Sequence, residues 1–142
     1  MPELKMFVSK EELYDEREFH FGQIWKVRDV AVTIPNADRI PGERKERFVR
    51  LVVVISNNKD NFNPLSPTVT VCPISKRVDL LRETDLEVHP DEDNNLECPS
   101  KIQLALKQPI LKVDLYKEPI GELSREDKEN LLFMIEEYYG LA

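Results

Sequence analysis

The sequence has few of the residues that mark secreted, membrane-spanning or metal-binding proteins. Its 142 residues include two cysteines, Cys72 and Cys98, and two histidines, with no CxxC pair, so zinc ligands are scarce. No apolar run approaches the ~20 residues that a transmembrane helix needs, and the N-terminus lacks the apolar segment of a secretory signal. We therefore expect a cytoplasmic protein with reduced thiols and with no bound metal or cofactor.

The signatures of common enzyme classes are missing as well. The chain has no GxGxxG or P-loop for phosphate binding, no GxSxG nucleophile and no HExxH zinc helix. His20 lies between two phenylalanines and His89 precedes a proline, positions more typical of packed or capped side chains than of a general base. We expect that neither histidine is catalytic.

Positive charge is scarce overall but is concentrated in one part of the chain. The 27 acidic and 20 basic residues give a formal net charge of −7, which argues against nonspecific binding of nucleic acid. Residues 19–78 nevertheless contain ten basic and five acidic residues, whereas residues 79–97 contain one basic and eight acidic residues. An acidic partner could therefore still bind a positive face formed by the middle of the chain.

The composition and the order of predicted elements indicate a single domain over residues 1–142. Apolar residues make up 41% of the chain and charged residues 33%, as in folded domains. Alternation and β-branched runs predict strands at 23–30, 47–56, 68–75, 85–89, 101–106 and 120–123. Capping patterns predict a short surface helix at 10–18 and a longer helix at 125–138.

The order of these elements predicts the fold class. Strands that follow one another without intervening helices favour antiparallel pairing, so we expect a mainly β (α+β) protein with a small, strongly curved β-barrel. The C-terminal helix would pack on this barrel through Leu131, Leu132, Ile135 and Tyr139. Residues 31–46 are predicted to be a long, solvated and mobile loop, and Pro73 is predicted to mark a strand edge or a bulge.

Arg50 and Ser75 are the polar residues that point to chemistry. If strands 47–56 and 68–75 pair antiparallel, the start of one lies beside the end of the other, so Arg50 and Ser75 should lie within about 8 Å at one sheet edge. A guanidinium, a hydroxyl and the nearby Lys76 and Arg77 would suit a phosphodiester and its transition state. The residues alone leave a second interpretation open, a surface arginine paired with Glu43 or Glu46.

Several motifs in order along the chain resemble the MazF/PemK toxins of type II toxin–antitoxin systems. The resemblance covers about residues 20–140 and rests on these segments: GQIWKV at 22–27, VRLVVVIS at 49–56, VTVCPIS at 69–75, SKIQ at 100–103 and IGELSRED at 120–127. It implies an SH3-like barrel over 20–142, preceded by an N-terminal extension over 1–19. The chain departs from the family pattern at Arg50-Leu51, where relatives have Arg-Pro, and in the register of the loop before it.

The resemblance also implies an activity, a metal-independent endoribonuclease that cleaves single-stranded RNA and leaves a 2′,3′-cyclic phosphate. Arg50 and Ser75 would be the catalytic residues, because they occupy the positions of the family's arginine and hydroxyl residue. The partners would be single-stranded RNA, a cognate antitoxin and a second copy in a homodimer, with no membrane. We expect the second copy to cover an exposed apolar face of the strands at 48–56 and 68–75. We predict that basic residues ring the site and bind RNA, namely Arg39, Arg44, Lys45, Arg47, Lys76 and Arg77.

Two other functions stay open at this point. The missing proline and the acidic balance favour a catalytically silent barrel that binds a protein or nucleic acid. A toxin of similar fold could also poison a topoisomerase, as CcdB-like proteins do.

Overall fold

The strands form one antiparallel sheet. The computed structural model describes residues 9–35 and 49–141. Within these ranges the strands are β1 (Gln23–Arg28), β2 (Val49–Val54), β3 (Thr68–Ser75), β4 (Asp85–Val88), β5 (Ser100–Gln103), β6 (Gln108–Leu111) and β7 (Gly121–Glu122). They lie in the order β4-β5-β3-β2-β1-β7, and β6 also pairs with β3. This antiparallel half-barrel with a C-terminal helix confirms the predicted fold class.

Three α-helices accompany the sheet in the described ranges: α1 (Lys10–Leu13), α2 (Asn58–Asn61) and α3 (Arg125–Tyr138). Helix α3 has the predicted bounds, and its Ser124 cap accepts a hydrogen bond from the Asp127 amide at 3.1 Å. The prediction of a helix over 10–18 was too long, because the backbone becomes extended at Tyr14. The extended segment that follows carries Phe19 into the core.

Both faces of the sheet are covered, so the domain has two apolar cores. The side chains of β2 alternate between them: Val52 and Val54 pack with Phe19 and Trp25 on one face, and Val53 packs on the other. The N-terminal segment and β6 help to cover the first face, and α3 covers the second. The expectation that β2 and β3 would expose an apolar face for a partner subunit is therefore wrong.

Helix α3 contacts the sheet through a narrower stripe than the sequence predicts. Leu131 is fully buried and Ile135 is partly buried against the same core. Leu132 and Tyr139, predicted as core residues, are exposed together with Phe133. The helix is therefore oriented so that positions 131, 134 and 135 face the sheet, which leaves apolar side chains on its outer face.

Several element ends differ from the predictions for local reasons. Strand β1 ends at Arg28 rather than at 30, because residues Asp29–Ala31 form a 3-10 turn. Strand β5 ends at Gln103 rather than at 106, because the Leu104 amide donates to the Thr84 carbonyl at 3.1 Å at the start of another 3-10 turn. Strand β6 and the short helix α2 were not predicted.

Pro73 lies inside a central strand and not at a sheet edge. Residues Thr68–Val71 of β3 pair with β6, whereas Ile74 and Ser75 pair with β5. Proline has no amide hydrogen to donate to a ladder, which suits a point where the strand exchanges one neighbour for another. Of the two predicted positions, a strand edge or a bulge, the edge is therefore wrong.

The predicted loop at 31–46 begins as packed structure. Val32 and Ile34 are buried in the core with Phe19 and Trp25, so the expectation of a solvated loop is wrong for its first residues. The remainder of this segment, residues 36–46, lies outside the described residues.

Arg17 attaches the N-terminal segment to the rest of the domain. Its guanidinium forms an ion pair with Asp15 at 2.7 Å and donates to the carbonyls of Lys112 at 2.7 Å and Leu115 at 3.2 Å. The buried ammonium of Lys112 in turn donates to the carbonyls of Asn61 and Asn63 at 3.0 and 2.9 Å. Burial would raise the pKa of Asp15, but the hydrogen bonds and charge of Arg17 outweigh it and hold that pKa below its ordinary value.

We predict that Arg17→Ala lowers the free energy of unfolding by about 2 kcal/mol at pH 7, since it removes the ion-pair partner of the shielded Asp15 carboxylate and the side-chain donors to two carbonyls. The loss should shrink as the pH falls through the acidic range. Asp15 is stabilising above its unfolded pKa, and this contribution disappears as it becomes protonated in the native state. Urea unfolding between pH 3 and 7 measures both effects. Arg125→Ala is the matched control, because Arg125 is exposed and pairs only with Glu129 on α3; an equal loss there would contradict the prediction.

Candidate functional site

Arg50 and Ser75 lie at the same end of one strand pair. In the β2–β3 ladder Val52 is opposite Pro73 and Val53 is opposite Cys72. Arg50 precedes Val52 by two residues and Ser75 follows Pro73 by two residues. The antiparallel direction of the two strands, on which the predicted juxtaposition depended, is thus present.

The Arg50 side chain is largely buried and paired with Asp29. Its Nε donates to Oδ1 of Asp29 at 2.9 Å, and the two side chains are only 11% and 9% exposed. Strand pairing explains the contact: Arg50 is opposite Val27 of β1, and Asp29 follows Val27 by two residues, so both side chains point to the same face. Asp29 was not identified from the sequence; its position immediately after a strand was the available signal.

Ser75 ends β3 with its hydroxyl in a local turn. Its Oγ accepts a hydrogen bond from the backbone amide of Arg77 at 3.2 Å, and its own backbone pairs with Lys101 of β5. The Lys101 ammonium lies 3.3 Å from the Asp85 carboxylate and donates to the Leu80 carbonyl at 2.8 Å. These contacts fix the backbone that carries Ser75.

A cavity of about 410 Å³ opens beside the start of β2 and the end of β3. Its apolar walls come from Leu51, Ile74, Leu96 and Ile120, which belong to the core that α3 covers. The cavity is also lined by the basic residues Lys26, Arg50 and Lys76 and by Val49, Asn95, Glu97, Cys98 and Ser100. Strand alternation directs the Arg50 side chain to the opposite face, beside Val27 and Val52. Ser75 does not line the cavity, although its neighbours on both sides do. The combination of apolar walls with basic side chains suits a ligand with a flat apolar part and an anionic part.

Two of the six predicted ring residues, Lys76 and Arg77, lie within the described residues. Arg77 is exposed and paired with Asp79 at 2.8 Å, and the hydrogen bond from Arg77 holds the pKa of that carboxyl below its ordinary value. Lys76 lines the cavity and lies 3.9 Å from the Glu97 carboxylate. The other predicted members of the ring, Arg39, Arg44, Lys45 and Arg47, lie outside the described residues.

Two other kinds of feature are absent from the described residues. No helix in residues 9–35 or 49–141 is long and apolar enough to cross a membrane. Within the same ranges, no three His, Cys, Asp or Glu side chains are grouped so that they could hold a metal ion.

Comparison with known proteins identifies the family. The sequence model of the PemK-like, MazF-like toxins of type II toxin-antitoxin systems matches residues 29–138. The chain belongs to this toxin family. No curated protein sequence matches the chain significantly. The match begins at Asp29, directly after β1.

Solved structures of MazF toxins have the same fold. The Mycobacterium tuberculosis toxin MazF-mt6 is similar with a TM-score of 0.61 and 22% identity, over 84% of this chain and 98% of that chain. A crystal structure of another Mtb toxin has 30% identity and a TM-score of 0.52, over 62% of this chain and 90% of that chain. A MazE-MazF structure from Deinococcus radiodurans has 11% identity and a TM-score of 0.58, over 87% and 96% of the two chains.

The two cysteines should report on the cavity. Burial raises the pKa of the Cys72 thiol to about 12, whereas Cys98 is half-buried and lines the cavity. We predict that the native protein reacts with one equivalent of a chromogenic disulfide at pH 8 and with a second equivalent only after unfolding. Cys98→Ser should remove the first reaction and Cys72→Ser should leave it; the reverse pattern would show that the cavity wall is closed.

Proposed function

We propose that this toxin is a metal-independent endoribonuclease that cleaves single-stranded RNA in the cytoplasm. The observation that carries the proposal is the location of Arg50 and Ser75 at one end of the β2–β3 pair, next to a cavity with a basic lining. A structurally similar mycobacterial protein is described as an endoribonuclease in complex with its cognate antitoxin. We propose an antitoxin as the partner that keeps this chain inactive.

The reaction would be an internal transfer of the phosphodiester. The 2′-oxygen attacks the adjacent phosphorus and loses its proton, the bond from phosphorus to the 5′-oxygen breaks, and that oxygen gains a proton. The products are a 2′,3′-cyclic phosphate and a 5′-hydroxyl. Negative charge increases on the non-bridging oxygens in the transition state, so the main task of the protein is to place donors on those oxygens.

Arg50 and Ser75 would supply these donors. The guanidinium of Arg50 offers charge and a planar set of N–H groups that matches phosphate geometry. The Ser75 Oγ already accepts from the Arg77 amide, which orients the hydroxyl so that its hydrogen can be donated to a phosphate oxygen. The apolar walls of the cavity would hold the base of a neighbouring nucleotide, and Lys26 and Lys76 would attract the backbone.

We predict that Arg50→Lys lowers kcat/KM for a single-stranded RNA by ~10²–10³-fold, the usual cost of losing one transition-state donor. Lysine keeps the charge but not the planar fork. Ser75→Ala should cost less, because it removes a neutral donor, and Ser75→Thr should retain activity. Cleavage of an end-labelled RNA measures all three, with Arg125→Lys on the exposed start of α3 as the matched control. A wild type that cleaves no RNA would refute the proposal.

A catalytically silent binding barrel is the second candidate function. The burial of Arg50 and its ion pair with Asp29 favour it, because a paired arginine attracts phosphate less than an open one. Growth arrest on expression separates the candidates. Arrest that persists in Arg50→Lys would support the binding function, whether the bound partner is an antitoxin-like protein, a nucleic acid or a topoisomerase.

We also propose a homodimer. Its interface would be the outer face of α3 and not the faces of β2 and β3. The outer face of α3 exposes Leu132, Phe133 and Tyr139 to solvent, and large apolar side chains exposed together often mark a contact with a partner. A second copy could cover this face by symmetric contact of the two helices.

We predict a dimer at micromolar concentration by light scattering, converted to a monomer by Phe133→Asp. Lys59→Asp is the matched control, since it adds the same side chain to another exposed helix. A wild type that stays monomeric would contradict the prediction.

A further inference from the structure

The ion pair between Asp29 and Arg50 combines close contact with deep burial. The Nε of Arg50 lies 2.9 Å from Oδ1 of Asp29, and about nine-tenths of each side chain is shielded from solvent. A buried carboxylate is costly unless it is paired, so Asp29 holds Arg50 tightly in one orientation.

Stability alone gives little reason for an ionic contact at this place. Exchanging a buried ion pair for packed apolar side chains is often neutral or stabilising. Two neighbours on this face of β1 and β2, Val27 and Val52, belong to the apolar core, so apolar residues could pack against them. A requirement for the guanidinium itself explains the pair better.

The geometry points to a role for Asp29 through Arg50. We propose that Asp29 is a positioning residue of the proposed ribonuclease, on whose activity this inference rests. Because a guanidinium is planar, an acceptor on Nε sets the direction in which both Nη groups donate. The Asp29 carboxylate thereby directs the Nη groups of Arg50 toward the scissile phosphate of a bound RNA.

The same variants also test the opposite role for Asp29, in which it weakens the contact between Arg50 and phosphate. If Asp29 only neutralised Arg50 and competed with phosphate, its removal would raise the affinity for RNA and the rate. If Asp29 positions Arg50, its removal lowers kcat, whereas KM stays the same or falls because a negative charge near the substrate has gone.

The test is a double-mutant cycle on cleavage of an end-labelled single-stranded RNA. Asp29→Ala should lower kcat by a factor on the order of 10², the usual effect of a misplaced catalytic group. Asp29→Asn should lose less, because its amide oxygen still accepts from Nε. In an Arg50→Lys background Asp29→Ala should cause little further loss, since no fork remains to be aligned.

The matched control is Asp15→Asn, which makes the same change in another shielded aspartate that pairs with an arginine, Arg17. It should lower the melting temperature without lowering kcat at temperatures where the protein is folded. If Asp29→Ala lowered the rate as much in the Arg50→Lys background as in the wild type, or raised kcat/KM, the positioning role would be refuted.

A second readout keeps this inference separate from the proposed cleavage. A 2′-deoxy analogue of the RNA cannot react, and its phosphates should shift the side-chain ¹⁵N–¹H signal of Arg50 in the wild type. This shift should be lost in Asp29→Ala and kept in Asp15→Asn. If the wild type shows the shift but cuts no RNA, the ribonuclease proposal fails and the orientation of Arg50 by Asp29 stands. A shift that survives in Asp29→Ala refutes the inference.

Discussion

The pairing of β2 with β3 is the contact on which the other features depend. It places Val53 opposite Cys72 and so divides the alternating side chains of two central strands between two cores. One core needs α3 as a cover and the other needs the N-terminal segment with Phe19. The same register puts Arg50 and Ser75 at one end of the ladder. Fold and candidate site therefore follow from a single choice of register, because a slip by one residue would exchange the faces of every side chain.

Alternation and capping made the regular parts of this fold predictable. The bounds of β3 and α3 agree with the sequence patterns, since the four β-branched residues that open β3 and the serine cap of α3 are local signals. Strand β6 was missed because its four residues include a proline, and the core role of Val32 and Ile34 was missed because charged neighbours follow them. The orientation of α3 depends on how the helix docks, which no local pattern contains. The Asp29–Arg50 contact likewise depends on pairing between strands that are separated in sequence.

The position of the acidic segment 79–97 in the fold explains part of its charge. Three of its carboxylates lie against basic side chains near the end of β3: Asp79 with Arg77, Asp85 with Lys101 and Glu97 with Lys76. Only the Asp85–Lys101 pair is deeply buried, so the two exposed pairs are weak and can open in water. Local positive charge near the candidate site is therefore partly neutralised at rest, which reduces nonspecific attraction to nucleic acid. An RNA phosphate would compete for the two exposed bases at small cost.

Burial of Arg50 looks at first like an argument against catalysis, but the two requirements are compatible. An open arginine would have many rotamers, and ordering a long side chain costs up to about 2 kcal/mol. The contact with Asp29 orders the Arg50 side chain when the protein folds. The entropy cost of ordering it therefore does not add to the activation free energy. The pairing also weakens the attraction of Arg50 for phosphate, most of all in the transition state, where more negative charge develops, so the gain from correct orientation has to exceed this loss. A divergent toxin with Leu51 in place of the family's proline can in this way hold its arginine by a side-chain contact.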